Sequence, residues 1–176
     1  MNYKLIIPFF FISLFVKTSI YDLQIQTVEG NKINMSEFKG QKILIASISP
    51  DNLEAEGLVF MDSLQLANPA VVVIAVPASD FGGSRNAEIM LDIKDKTSRK
   101  IIVAEQADVK KAKHNSQNSL MKWLTHDAEN FHFDAEVVTD NQIYIISESG
   151  VLYAVLEKGV PHTVIDQLLK QEDIKE

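Results

Sequence analysis

Two short runs of aliphatic and β-branched residues, Lys42-Ile-Leu-Ile-Ala-Ser-Ile48 and Val71-Val-Val-Ile-Ala-Val76, stand about 20 residues apart, and this spacing constrains the fold most. Neither run alternates with polar residues, which is the pattern of strands covered on both faces of a parallel sheet. The interval is too long for a hairpin and long enough for one crossover helix, so the segment reads as a right-handed βαβ unit. Its punctuation agrees. Lys39-Gly40 makes a turn before the first strand, Ser49-Pro50-Asp51-Asn52 offers a helix start, and Asn68-Pro69 stops the helix. Ser49 is placed to N-cap, Pro50 suits the first helical position, and Asp51, Glu54 and Glu56 oppose the helix dipole. The predicted apolar face carries Leu53, Gly57, Phe60, Met61 and Leu64. In such sheets the reactive or binding group lies beyond the carboxyl ends of the strands, here residues 49–52 and 77–83.

Composition narrows the chemistry. Seventeen Lys and Arg against 24 Asp and Glu give a net charge of −7 with no basic cluster, so phosphate backbones are repelled and nucleic acid is set aside as a partner. There is no cysteine, hence no disulfide, no thiolate nucleophile and no cysteine metal ligand. At the N-terminus, Lys4 precedes an apolar run over residues 5–16 and Lys17 follows it. The run falls short of the roughly 20 residues that span a bilayer, and it fits the core of a secretory signal peptide better than a buried helix or short anchor. We read residues 1–19 as a signal peptide and residues 20–176 as the domain, exported to a periplasm or outside the cell. Removing 1–19 takes away two lysines and no acid, shifting the charge from −7 to −9.

Along the remaining chain, residues 21–34 alternate weakly around Gly30-Asn31, a hairpin signal. A second helix is predicted over 86–96 with Ile89, Met90 and Ile93 inward, and a short strand over 100–103. Residues 108–119 are polar and irregular, and 119–125 form a short amphipathic helix. Strands at 141–146 and 151–156 are joined by Ser147-Glu-Ser-Gly150, and a final helix starts at Pro161. The order describes a central mixed sheet flanked by helices, a thioredoxin-like α/β arrangement with an N-terminal hairpin.

Five segments in order then resemble the glutathione peroxidase family. Ser19-Ile-Tyr-Asp-Leu23 with Val28-Glu-Gly30 resembles the family's "SIYDF…DG", and Phe38-Lys-Gly40 with Ile43-Leu-Ile45 resembles "YKGKVLLI". Val76-Pro-Ala-Ser-Asp-Phe-Gly-Gly83 resembles "FPCNQFGG", Leu120-Met-Lys-Trp-Leu-Thr125 resembles "PLYKWLT", and residues 143–155 resemble "KFLVDRDGKVV". The resemblance implies a scaffold for hydroperoxide reduction by a cysteine or selenocysteine, assisted by a glutamine, a tryptophan and an asparagine. Those positions fall on Asn52 (or Pro50, counting back from Pro77), Asp80, Thr139 and Asp140. All four have changed. A thiolate is the reagent that such chemistry needs, and helix-terminal amides lower its pKa; neither Asn52 nor Pro50 can be oxidised and reduced. The resemblance therefore leaves two readings: a scaffold without peroxidase activity that serves as a binding or structural module, or an oxidoreductase of the family acting in oxidative stress by a non-standard route. No cofactor is called for by either.

Other signals are weaker. Asp80-Phe81-Gly82 spells a kinase metal triplet, without the glycine-rich loop, strand lysine or catalytic loop of a kinase. His126, Asp127, Glu129, His132 and Asp134 include metal-ligand types, but the six-residue histidine spacing suits no single helix face and the stretch reads as a solvated loop. Ser47 and Ser49 lack a nucleophile-elbow sequence. Asp80 and Asp140, if brought together, would bind a cation or share a proton; as separate loop acids they would be solvated.

Overall fold

The structure, a computed structural model, describes residues 18–52, 57–83, 87–95, 100–113 and 115–172. The apolar N-terminal run and Leu53 of the predicted helix face lie outside them, as do the side chains of Asn52, Ile89 and Ile93. A two-stranded antiparallel hairpin, β1 (Gln24–Gln26) and β2 (Lys32–Asn34), precedes a five-stranded sheet. The sheet contains β3 (Ile43–Ile48), β4 (Val72–Pro77), β5 (Ile102–Val103), β6 (Gln142–Ile146) and β7 (Leu152–Leu156), in the order β5-β4-β3-β6-β7. β4 runs parallel to β3, pairing Ile43 with Val72 through Ile48 with Pro77, while β6 runs antiparallel on the other side, pairing Ser47 with Gln142. The sheet is mixed, with β3 at its centre.

Alternation explains why β3 looks uniformly apolar. Leu44, Ala46 and Ile48 face a core with Met61 and Leu64 of α1 (Val59–Ala67) and Ile165 and Leu169 of the C-terminal helix. Ile43 and Ile45 face the opposite core, with Ile25 of the hairpin, Tyr144 and Ile146 of β6, and Leu120, Met121, Trp123 and Leu124. Both faces are buried, and each fully buried aliphatic side chain contributes roughly 1.5–3 kcal/mol of transfer free energy. The helices in chain order after α1 are α2 (Ala87–Asp95), α3 (Ser119–Thr125), α4 (Asp127–Asn130) and α5 (His162–Lys170).

Two expectations change. The residues after Ser49 form a 3-10 turn, Pro50–Asn52, and the described α-helix begins only at Val59. Ser49 Oγ does accept the Asp51 amide, at 3.3 Å, but also donates to the carbonyl of Phe81 at 2.7 Å, so it ties two loops together as well as capping a turn. The stretch around His126 is not plain loop either. Asn130, 1% exposed, closes α4 by donating to the carbonyls of Trp123 and Phe133 and accepting the amides of His132 and Phe133. Four bonds satisfy this one buried amide and tie the segment to the end of α3.

Among the described residues Thr18 comes first, and its carbonyl accepts the indole N–H of Trp123 at 2.9 Å. Ser19 follows with a reciprocal cap: its hydroxyl accepts the Tyr21 amide, and its own amide donates to Asp22. Tyr21 then reaches across to the β6–β7 turn, donating to the carbonyl of Glu148 at 3.1 Å and lying over Gly150. At the far end α5 docks through Lys42, the residue before β3. Its ammonium, 6% exposed, donates to the carbonyls of Leu169 and Gln171, and Tyr153 of β7 donates to Leu168. Among the described residues no helix is long and apolar enough to cross a membrane.

Candidate functional site

Parallel strands β3 and β4 end side by side, and their following turns meet. Beyond β3 lies the turn Pro50–Asn52; beyond β4 lies a second turn, Ser79–Phe81, then Gly82 and Gly83. The two are laced by the Ser49 hydroxyl on the Phe81 carbonyl and by the Gly83 amide, which donates to Asp51 Oδ2 at 3.2 Å. Gly82 is required by this closeness rather than by its backbone angles. A Cβ there would sit 2.8 Å from Asp51 Oδ2 and 3.0 Å from Ser49 Oγ. The Asp51 carboxylate thus lies over the glycine pair, between the two turns where the family resemblance would put a thiol. Asp51 escaped the sequence reading, which took it as a dipole-complementing residue; the adjacent small residues Gly82 and Gly83 were the available signal.

The expected site positions lie on three segments: the turn after β3, the turn after β4 and the stretch before β6. Asn52 ends the first turn and Pro50 begins it. Asp80 is the middle residue of the second turn, and its carboxylate accepts the amides of Val109 at 2.7 Å and Lys110 at 3.2 Å. Lys110 in turn places its ammonium 4.5 Å from the centre of the Phe81 ring. Ser79 and Ser116 both donate to Asp108, so this loop is stitched by two carboxylates. Asp140 lies before β6 and takes the Lys158 ammonium on both oxygens at 3.2 Å. Asp80 and Asp140 therefore have separate partners. Thr139 Oγ1 is buried and has no hydrogen-bond partner among the described residues, as is Ser47 Oγ at the end of β3.

Behind Ser47 the sheet carries an unusual polar pair. Gln142, the cross-strand partner of Ser47, donates to the Tyr144 hydroxyl at 2.9 Å and to the Glu136 carbonyl, and accepts the Val138 amide. Burial pushes the Tyr144 phenol far above its ordinary range, so it stays neutral as a hydrogen-bonding group. Around His126 and His132, the Lys111 ammonium beside Asp134 holds that carboxyl below its ordinary range. Among the described residues no three histidines or carboxylates converge as a metal site. The arrangement beyond β3 and β4 holds the two turns together through Ser49 and Asp51.

No protein-family model matches the chain. It is similar to glutathione peroxidase 1 of Caenorhabditis elegans, 25% identical over 128 residues, covering 67% of this chain and 74% of that protein. Among solved structures, Trgpx in its apo form superposes with a TM-score of 0.63 at 15% identity, over 86% of this chain and 93% of that one. T. cruzi GPX1 superposes with a TM-score of 0.62 at 18% identity, over 86% of this chain and 94% of that one. The chain has the glutathione peroxidase-like thioredoxin fold, carried by a divergent sequence without a single cysteine.

Proposed function

We propose that this is an exported, glutathione peroxidase-like protein that works as a binding or structural module rather than by reducing peroxides. The observation that carries the reading is the contact between the two strand-end turns. Where a thiolate would need open space and free amide donors, the Gly83 amide is already bonded to the Asp51 carboxylate, and a negative charge at that place disfavours an approaching anion. The absence of cysteine from the whole chain removes any resolving partner as well. Export rests on the apolar run over residues 5–16 between Lys4 and Lys17.

The test is consumption of hydrogen peroxide and of an organic hydroperoxide by the purified protein, with glutathione and, separately, thioredoxin as reductant. Turnover no greater than buffer is expected; turnover near that of a cysteine-containing relative overturns the reading in favour of a non-thiol oxidoreductase. For export, residues 1–19 fused to a reporter that matures only outside the cytoplasm should yield active reporter, and retention in the cytoplasm refutes that part.

A further inference from the structure

A cavity of about 190 Å³ lies between α1, the start of β6 and the segment that follows β7. Phe60 of α1, Ile143 of β6 and Val160 make its apolar wall, and Asn141, Glu157 and Lys158 its polar rim. The volume exceeds the ~150 Å³ that accepts a benzene ring in a protein core. Its shape is fixed from behind. Phe60 meets the His162 ring edge-on at 5.8 Å and 88°, and His162 Nε2 lies 3.3 Å from the Ser63 hydroxyl. The Asn141 amide, donating to Ser47, pins the start of β6.

Charge selects the occupant. Lys158 is held by both oxygens of Asp140, so its positive charge is matched before any ligand arrives. Glu157 then leaves the rim with one net negative charge, on a chain whose net charge is −7. We infer that this cavity binds a small organic ammonium ion with an apolar body of about one aromatic ring, the ring against Phe60, Ile143 and Val160 and the ammonium at Glu157. An apolar floor with a few placed polar groups at the mouth is the usual make-up of a ligand site. The inference stands independently of whether the protein reduces peroxides.

The test is a titration of the isotope-labelled protein with 2-phenylethylammonium, followed by amide chemical shifts at pH 8, where an ordinary imidazole is neutral. Parallel titrations use 3-phenylpropionate and 2-phenylethanol. Saturable shifts should centre on Asn141, Ile143 and Gly159, strongest for the amine and weakest for the acid. Glu157→Gln should weaken amine binding about fivefold, as loss of one partly exposed charge contact does. Lys158→Met keeps the apolar stem and removes the competing cation, so it should tighten binding by a similar factor. Opposite signs for the two variants separate recognition of charge from a structural disturbance, which would weaken both. Equal or tighter binding of the acid, shifts centred elsewhere, variants that move binding in one direction, or no saturable shift with the amine would each overturn the inference.

Discussion

Lys42 is the point at which one charged side chain decides how the C-terminal helix is held, and Lys42→Met tests it. The substitution keeps most of the apolar stem and removes the ammonium that donates to the carbonyls of Leu169 and Gln171. Hydrogen bonds to a charged group are worth about 1.5–3 kcal/mol each. Water replaces part of that here, because Gln171 is exposed at the helix end. The nearby Glu148 carboxylate, 3.6 Å from the ammonium and 42% exposed, adds no more than about 1 kcal/mol. The Tyr153 ring, 6.0 Å from the ammonium, adds a minor cation–π contact. The net loss should be about 2–4 kcal/mol, which for a domain of this size lowers Tm by about 5–15 °C. Urea unfolding followed by circular dichroism measures it, with Glu148→Gln as the control expected to cost about 1 kcal/mol or less. A Lys42→Met protein within about 0.5 kcal/mol of the parent would refute the argument, and show that the α5 carbonyls are satisfied as well by water.

Three further outcomes are expected. Gly150→Ala combines a backbone at φ +84° with a Cβ 2.6 Å from the Tyr21 ring, and should cost about 2–4 kcal/mol in urea unfolding; Tyr21→Ala in the same chain should recover part of it. Gly82→Ala, at an extended and unstrained backbone, should cost about 1–2 kcal/mol through its clash with Asp51, and Asp51→Ala should make that cost largely vanish in a double-mutant cycle. The Tyr144 phenol is raised by burial, so it stabilises the fold fully below pH ~10, where an unfolded tyrosine begins to ionise, and the contribution is lost as pH rises further. Tyr144→Phe should therefore flatten the alkaline limb of the stability curve by up to about 1.4 kcal/mol per pH unit, while costing about 1 kcal/mol at neutral pH through the acceptor taken from Gln142. An unchanged alkaline slope would rule that account out.

The sheet was legible because burial on both faces leaves a direct mark: β3 and β4 are continuous apolar runs, and the Gly150 turn announces the β6–β7 hairpin. The first turn after β3 was misread for a physical reason. Ser49, Pro50 and Asp51 are ideal helix-start residues, but the same hydroxyl and carboxylate also bond a loop 32 residues away, and local capping preference carries no information about that second partner. Asn130 was invisible for the same reason, since an asparagine between polar neighbours reads as loop until its four backbone partners are brought around it. The positions inherited from the family resemblance were found at the ends of the expected strands, yet which side chains turn toward one another depended on Lys110, Lys158 and Asp51. No short-range pattern marks those three.

The bond from Trp123 to Thr18 gives the protein a built-in optical gauge. Trp123 is the sole tryptophan of the chain and is 2% exposed, so its fluorescence reports one location, the seam where residue 18 joins α3. Emission should be blue-shifted and shielded from acrylamide in the intact protein. A red shift at denaturant concentrations below the circular dichroism transition would record the opening of that seam before the sheet comes apart.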